Sequence, residues 1–181
     1  MIFFTASIAF LFISFTLNIG DLSIGVIPTF FGFFLAMQGV RTLKGDSNYI
    51  TLALVMGGLG TPWAFILYII EFFKIADGLL LSVCIIVEMI LAILMIFFVI
   101  RALEETEKEF DVNIEAGPLK RALLLVVGAE LASAVLLIAW PSLTLLYYSA
   151  IVLSAVLLMM KFESTRKRYE AAFPRDSAGN I

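Results

Sequence analysis

The amino-acid sequence predicts an all-α integral membrane protein, a six-transmembrane-helix bundle with both termini in the cytoplasm. Three observations predict this fold class. Hydrophobic residues make up 62% of the 181-residue chain and charged residues only 15%, whereas soluble domains carry about 25% charged residues. The charged residues are clustered, so that long apolar windows lie between them. Lysine and arginine are divided very unequally between the two sides that these windows define.

Six apolar windows approach or reach the roughly 20 residues that a membrane-spanning helix needs. They are residues 1–18, 26–43, 51–73, 79–103, 123–140 and 144–160. The first, second, fifth and sixth windows are near the short limit, which favours upright helices or a locally thinner bilayer. We therefore expect a single membrane domain, 1–181, with an acidic loop at 104–120, a basic tail at 161–181 and no strands.

The lysine and arginine residues predict the orientation. With the amino terminus inside, 11 of the 12 basic residues lie on the cytoplasmic side, and only Lys74 lies outside. Because cytoplasmic segments are enriched in basic residues, both termini are predicted to be cytoplasmic. The first window has no basic residue before it, and a cleaved signal peptide is the competing interpretation. Neither a basic start nor a small-residue cleavage site precedes Asp21, so we expect this helix to be retained.

The outer turn and the second window contain a spaced set of small and turn-forming residues. The set is Asn18, Ile19, Pro28, Gly32, Gly39 and Leu43. It resembles a group of small, uncharacterised multi-spanning membrane proteins of Gram-positive bacteria, whose second helix typically reads ILPDxIGYxLIxxGLxxL. Thr29 and Phe33 stand here in place of the usual acidic residue and tyrosine. The resemblance implies a bacterial origin, hence a bacterial plasma membrane, and no activity.

Two windows contain stripes of small residues at helical spacing. The stripes are Gly32, Ala36 and Gly39 in the second window, and Gly128 and Ala132 in the fifth. Small residues let neighbouring helices approach closely inside a membrane. We expect the second-window stripe to pack within the bundle and the fifth-window stripe to face outward. The outward stripe would dock a second copy of the chain or a partner membrane protein.

The third window contains the sequence GGLGTPW, with Gly57, Gly58, Gly60 and Pro62. A proline inside a helix removes one backbone hydrogen bond and predicts a kink. One interpretation is a kink sealed by neighbouring helices, with Thr61 bonding a freed carbonyl group. The other is a broken helix that exposes backbone groups to a substrate, as in many transporters.

Two glutamates, Glu88 and Glu130, lie in the middle of apolar windows. Ionisable groups at such depth are costly and are usually functional. Both lie about 15 Å below the predicted outer surface, on consecutive antiparallel helices, so we expect the two carboxyls to lie close together. A proton or cation relay is one interpretation, and a structural pair of neutral, hydrogen-bonded acids is the other.

The remaining residues exclude most enzyme chemistry. The chain has no histidine and one cysteine, Cys84, which excludes His-containing zinc sites and Ser-His-Asp catalysis. We expect no catalytic residues, no metal, no cofactor and no nucleic-acid partner. Arg166, Lys167 and Arg168 are expected to contact anionic lipid headgroups. The sequence therefore favours a non-enzymatic assembly or accessory component of the membrane, and the alternative is a small proton- or cation-coupled carrier.

Overall fold

The computed structural model describes residues 2–13, 16–19, 22–25, 28–73, 75, 79–139, 142 and 144–174. Over these ranges the chain is all-α, with six helices, apart from one short hairpin. The elements in chain order are α1 (Ile2–Phe12), β1 (Thr16–Ile19), β2 (Leu22–Gly25), α2 (Thr29–Val40), α3 (Asn48–Phe72), α4 (Leu79–Glu109), α5 (Ala116–Ala139) and α6 (Thr144–Ala172).

The β1–β2 hairpin corrects the expectation that the chain has no strands. The two strands are antiparallel, with Leu17 opposite Ile24 and Asn18 opposite Ser23. Among the described residues, the helix in the first predicted window ends at Phe12, and the helix in the second extends over Thr29–Val40. The signal for strands is present in the sequence, because polar and apolar residues alternate on both sides of a two-residue Gly-Asp connection. Hydropathy averaged over a long window conceals this alternation.

Three of the described helices are long and apolar enough to cross a membrane. They are Asn48–Phe72, Leu80–Glu109 and Tyr148–Ala172, and α1 and α2 are shorter apolar helices. The described part of the chain thus has the helix lengths and composition of a membrane-associated protein. The predicted outer turns fall largely outside the described residues: Gly20, Asp21, Lys74, residues 76–78, Trp140, Pro141 and Leu143 have no described structure.

The helices pack in chain order and close into a ring. Each of α1 to α5 lies against the next helix, and α6 returns to pack against α1. Buried side chains from all six helices form one core, including Phe4, Phe33, Met95, Leu119 and Phe162. The rings of Phe4 and Phe162 lie 5.9 Å apart and join α1 to α6 inside this core.

Glycines allow α2 to lie very close to both of its neighbours. A side chain at Gly39 would collide with the ring of Phe4 on α1. On the other side, the Phe33 ring of α2 occupies the space beside Gly60 of α3. Met37 of α2 fills the space beside Gly57 in the same way. At these points the side chains of one helix therefore pack directly against the backbone of the next helix.

A polar end, defined by residues 41–47, 104–115 and 163–173, brings together three segments that are distant in sequence. The backbone amide of Lys44 donates a 2.6 Å hydrogen bond to the Tyr169 hydroxyl. The Thr106 hydroxyl donates to the Lys44 carbonyl at 3.1 Å, and Ser47 donates to Glu105. The Arg168 guanidinium forms a 2.6 Å ion pair with Glu115. The α2–α3, α4–α5 and α6 segments are thus joined directly at this end.

The start of α5 is held by a carboxylate of the preceding helix. Glu107 Oε1 accepts hydrogen bonds from the backbone amides of Ile114, at 2.8 Å, and Ala116, at 3.2 Å. Ala116 is the first residue of α5, where backbone amides have no partner within the helix. A carboxylate at this position also interacts favourably with the helix dipole. Glu107 therefore sets where α5 begins relative to α4.

Candidate functional site: the buried carboxyl of Glu88

Glu88 is the side chain whose environment is hardest to explain by packing alone. It lies on α4 and is partly buried, and its Oε1 atom is buried without a hydrogen-bond partner among the described residues. Buried polar atoms are nearly always hydrogen-bonded, because an unsatisfied one costs about 1–3 kcal/mol. An orphan carboxyl oxygen between apolar helices is therefore a candidate for a functional group.

The neighbours of Glu88 come from two other helices. The Thr29 hydroxyl, at the first residue of α2, lies close to the Glu88 carboxyl, and Glu71 of α3 lies within electrostatic range of it. Acidic groups inside membrane proteins commonly mark proton or ion sites. The arrangement can therefore hold a proton or attract a cation, with Thr29 orienting the Glu88 side chain.

Glu130 does not belong to this group. It lies on α5, partly buried, and forms no hydrogen bond or ion pair with a described residue. Glu71, and not Glu130, is the acidic neighbour of Glu88. No interaction between the carboxyls of Glu88 and Glu130 is found among the described residues, and their expected proximity stays a prediction.

The lengths of the two helices explain this difference. α4 has 31 residues and α5 has 24, and they are joined at the polar end by residues 110–115. At 1.5 Å per residue, Glu88 lies about 32 Å from the joined end of α4, and Glu130 about 21 Å from that of α5. The expected proximity of the two glutamates assumes that α4 and α5 are level at the outer ends of their apolar windows. The α4–α5 connection and Glu107 align the helices at the opposite end instead.

The glycine–proline segment does not interrupt its helix. α3 runs from Asn48 to Phe72 with Pro62 inside it. The Thr61 hydroxyl donates to the Gly57 carbonyl at 2.8 Å, so it does not satisfy the Gly58 carbonyl that Pro62 leaves without its usual partner. Gly57 and Gly60 are buried against α2, whereas Gly58 is exposed and a side chain there would meet nothing within 4 Å. Gly57 and Gly60 therefore allow close contact with α2, whereas Gly58 makes no helix contact.

The two small-residue stripes have opposite environments. Gly32, Ala36 and Gly39 are all buried, and Gly32 and Gly39 face side chains of α1. Gly128 and Ala132 are exposed on α5, and a side chain at Gly128 would meet nothing within 4 Å. Leu124, Leu125 and Leu131 beside them are each more than half exposed.

The cationic run Arg166–Arg168 is only partly available to a lipid. Arg166 donates to Glu163 at 2.5 and 2.8 Å and to Glu170 at 3.1 Å. This contact holds the pKa of Glu163 below its usual value, with the hydrogen bond from Arg166 as the main cause. Arg168 is paired with Glu115. Lys167 is exposed and forms no ion pair with a described residue.

Comparison of the chain with protein-family profiles, with characterised proteins and with solved structures finds no match. The resemblance to Gram-positive membrane proteins therefore stays a prediction. Of the residues around Glu88, Thr29 could not be placed from the sequence, because its contact depends on α2 starting at Thr29 rather than at residue 26. Glu71 offered a signal, as an acidic residue close to the end of the third apolar window.

Proposed function

We propose that this chain is a multi-pass protein of the bacterial plasma membrane that crosses the bilayer six times. It acts without enzymatic activity, as an assembly or accessory component of the membrane. The first two crossings need explanation, because an 11- or 12-residue helix rises only about 17 Å in a hydrocarbon core of about 30 Å. Each four-residue strand adds about 13 Å. A helix together with its strand therefore reaches about this length, with the hairpin in the outer part of the core, where β2 packs against α3 and the strands are shielded from lipid.

The contacts at the polar end support the orientation. The segments around Lys44, Thr106 and Tyr169 hydrogen-bond to one another, as expected if all three lie on one side of the membrane. Most of the basic residues belong to these segments or flank them. The positive-inside rule would then put this end in the cytoplasm.

Cysteine labelling in intact cells tests the proposed orientation. With Cys84 replaced by alanine, we expect an Asp77→Cys variant to react with a membrane-impermeant maleimide from outside. An Asp46→Cys variant should react only after the cells are permeabilised. The reverse pattern would overturn the orientation, and labelling of both sites in intact cells would overturn the membrane placement.

The exposure of Gly128 and Ala132 carries the assembly proposal. Small residues on a helix surface gain little from contact with lipid, but they allow another helix to pack closely. The exposed leucines on either side would border such a contact. A second copy of this chain, or a helix of a partner membrane protein, fits this face of α5.

The test is the size of the protein in mild detergent, measured by light scattering. We expect the Gly128→Leu/Ala132→Leu variant to remain folded and to lose the complex that the wild-type chain forms. Gly58→Leu is the matched control, because Gly58 is also an exposed glycine on a long helix, and it should leave the complex intact. An unchanged complex in the double variant would exclude this face as the interface.

A second candidate function rests on the orphan oxygen of Glu88. In a small proton- or cation-coupled carrier, Glu88 would bind the ion, with Glu71 as the second carboxyl and Thr29 as the orienting group. Glu130, the other intramembrane carboxyl, would act separately because no interaction with Glu88 or Glu71 is found among the described residues.

Flux measurements in liposomes test this candidate. A carrier should show pH-dependent ion uptake that Glu88→Gln abolishes and Glu130→Gln largely retains. The Gln variants preserve the side-chain shape, so both should fold like the wild-type chain. Wild-type liposomes without flux would eliminate the carrier and leave the assembly role.

A further inference from the structure

A groove on the outer surface of the ring runs between α1 and α6. Its volume is about 470 Å³, which lies within the ~300–1,000 Å³ typical of small-molecule sites. The lining residues are Thr5 from α1 and Val156, Met159, Met160, Glu163, Ser164 and Lys167 from α6. The Thr5 hydroxyl donates to Glu163 Oε2 at 3.4 Å across the groove. The groove is therefore bounded by two helices that are in direct contact.

The lining changes from apolar to charged along α6. Val156 and Lys167 lie about 16 Å apart along the helix, with two methionines near the apolar end and Ser164 near the charged end. Met160 is the last residue of the apolar window, and charged residues begin at Lys161. The groove thus extends from the level of the hydrocarbon to the level of the headgroups. This is the polarity profile of an amphiphilic molecule standing upright in one leaflet.

The charges at the polar mouth of the groove select an anion. Glu163 is neutralised by Arg166, and Arg166 also pairs with Glu170. Arg168 is occupied by Glu115. Lys167 forms no ion pair with a described residue, although its charge acts on Glu163 one helical turn before it, and it is exposed at the mouth. An ammonium group at the headgroup level attracts anionic lipid.

We propose that this groove binds one anionic phospholipid, with an acyl chain along Val156, Met159 and Met160 and its phosphate at Lys167. Methionine side chains adapt to a flexible chain, and the Ser164 hydroxyl can donate to a phosphate oxygen. A partner helix fits less well, because Thr5 and Ser164 are the only small residues in the lining and the two methionines fill the rest of the surface that a helix would approach. The proposal rests on the membrane placement proposed above and adds a defined lipid site to it.

Native mass spectrometry of the full chain in detergent, with added phosphatidylglycerol or phosphatidylcholine, tests the site. We expect one tightly held phosphatidylglycerol per wild-type chain. Val156→Trp, which fills the groove, should abolish this binding. Lys167→Gln should weaken it about fivefold, which corresponds to the roughly 1 kcal/mol of one basic residue at a headgroup.

Matched controls come from the same helix. Leu153 is exposed but does not line the groove, so Leu153→Trp should keep the lipid. Lys161→Gln removes a charge that does not line the groove and should also keep it.

Three outcomes would overturn the lipid site. They are equal retention of lipid in Val156→Trp and Leu153→Trp, binding of phosphatidylcholine as tight as that of phosphatidylglycerol, and a second protein chain in the groove. Alkaline extraction of cell membranes separates this failure from that of the membrane placement. A chain that resists extraction but holds no lipid refutes only the groove proposal, whereas a chain released by extraction refutes both.

Discussion

Two helices of this protein share a sequence pattern and have opposite surroundings. α2 carries Gly32, Ala36 and Gly39, all buried, because the stripe faces α1, which supplies the neighbours of both glycines. α5 carries Gly128 and Ala132, both exposed beside exposed leucines. A stripe of small residues therefore permits a close contact without specifying which helix makes it. On α2 the contact is internal, and on α5 it is open to a second chain.

The difference comes from which side of each helix faces its neighbours. α5 packs against α4 and α6, and its buried residues, such as Leu119, Ala122 and Val126, lie on a different face from Gly128. Two residues turn a helix by about 200°, which places Gly128 nearly opposite Val126. The small-residue stripe of α5 therefore lies on its exposed face, whereas the stripe of α2 lies on a buried face.

The largest expected effect comes from exchanging glycine for leucine in the two stripes. Gly39→Leu should lower the free energy of unfolding by about 1–3 kcal/mol or more, because the Phe4 ring that it would meet is itself only 1% exposed. Gly128→Leu should change the stability of the isolated chain by less than about 0.5 kcal/mol. Thermal unfolding in detergent, at a dilution that gives single chains, measures both values. Similar losses in the two variants would abolish the distinction between the stripes.

A smaller effect is expected where the α5–α6 pair is joined to the rest of the molecule at the polar end. Tyr169→Phe removes the acceptor for the Lys44 backbone amide and should cost about 1 kcal/mol. Tyr148→Phe is the control, since Tyr148 lies on the same helix with its side chain 58% exposed, and it should change little. Denaturant titration of both variants checks this. Equal effects would show that the polar end does not hold α6 in place.

The smallest effect is expected at the exposed ion pair of Glu163. Its folded-state pKa is lowered by Arg166, so its contribution to stability is present above the ordinary carboxyl value of 4.5 and is lost as the pH falls further. Glu163→Gln should cost less than about 1 kcal/mol at pH 7. The difference from wild type should vanish at low pH. A difference that grows on acidification would contradict the assigned ion pair.

Hydropathy predicted the long helices well and the short elements poorly. α4 contains the whole of the predicted window 79–103 and continues to Glu109 as a charged extension. The hairpin at Thr16–Gly25 was missed, because its alternation covers only a few residues on each side of Gly20-Asp21. Alternation over so short a run is easily lost in a window average of about 20 residues.

Pair contacts between helices were the least predictable feature. Glu88 and Glu130 occupy equivalent depths when they are counted from the outer ends of their windows. The structure aligns these helices from the polar end, where Glu107 holds the start of α5. A shift of several residues in that alignment moves a side chain by about 10 Å, which is enough to replace Glu130 by Glu71 as the acidic neighbour of Glu88.

The sequence by itself determined the class of protein, the positions of the long helices and the separation of charged from apolar segments. These properties follow from the free energy of transferring each segment between water and hydrocarbon, which depends on local composition. Only the tertiary structure decided which small-residue stripe is buried, which carboxyl lies near Glu88, and which cation of the run Arg166–Arg168 is left unpaired at the groove. Each of these depends on the relative rotation and offset of two helices, which are set by many contacts summed along both.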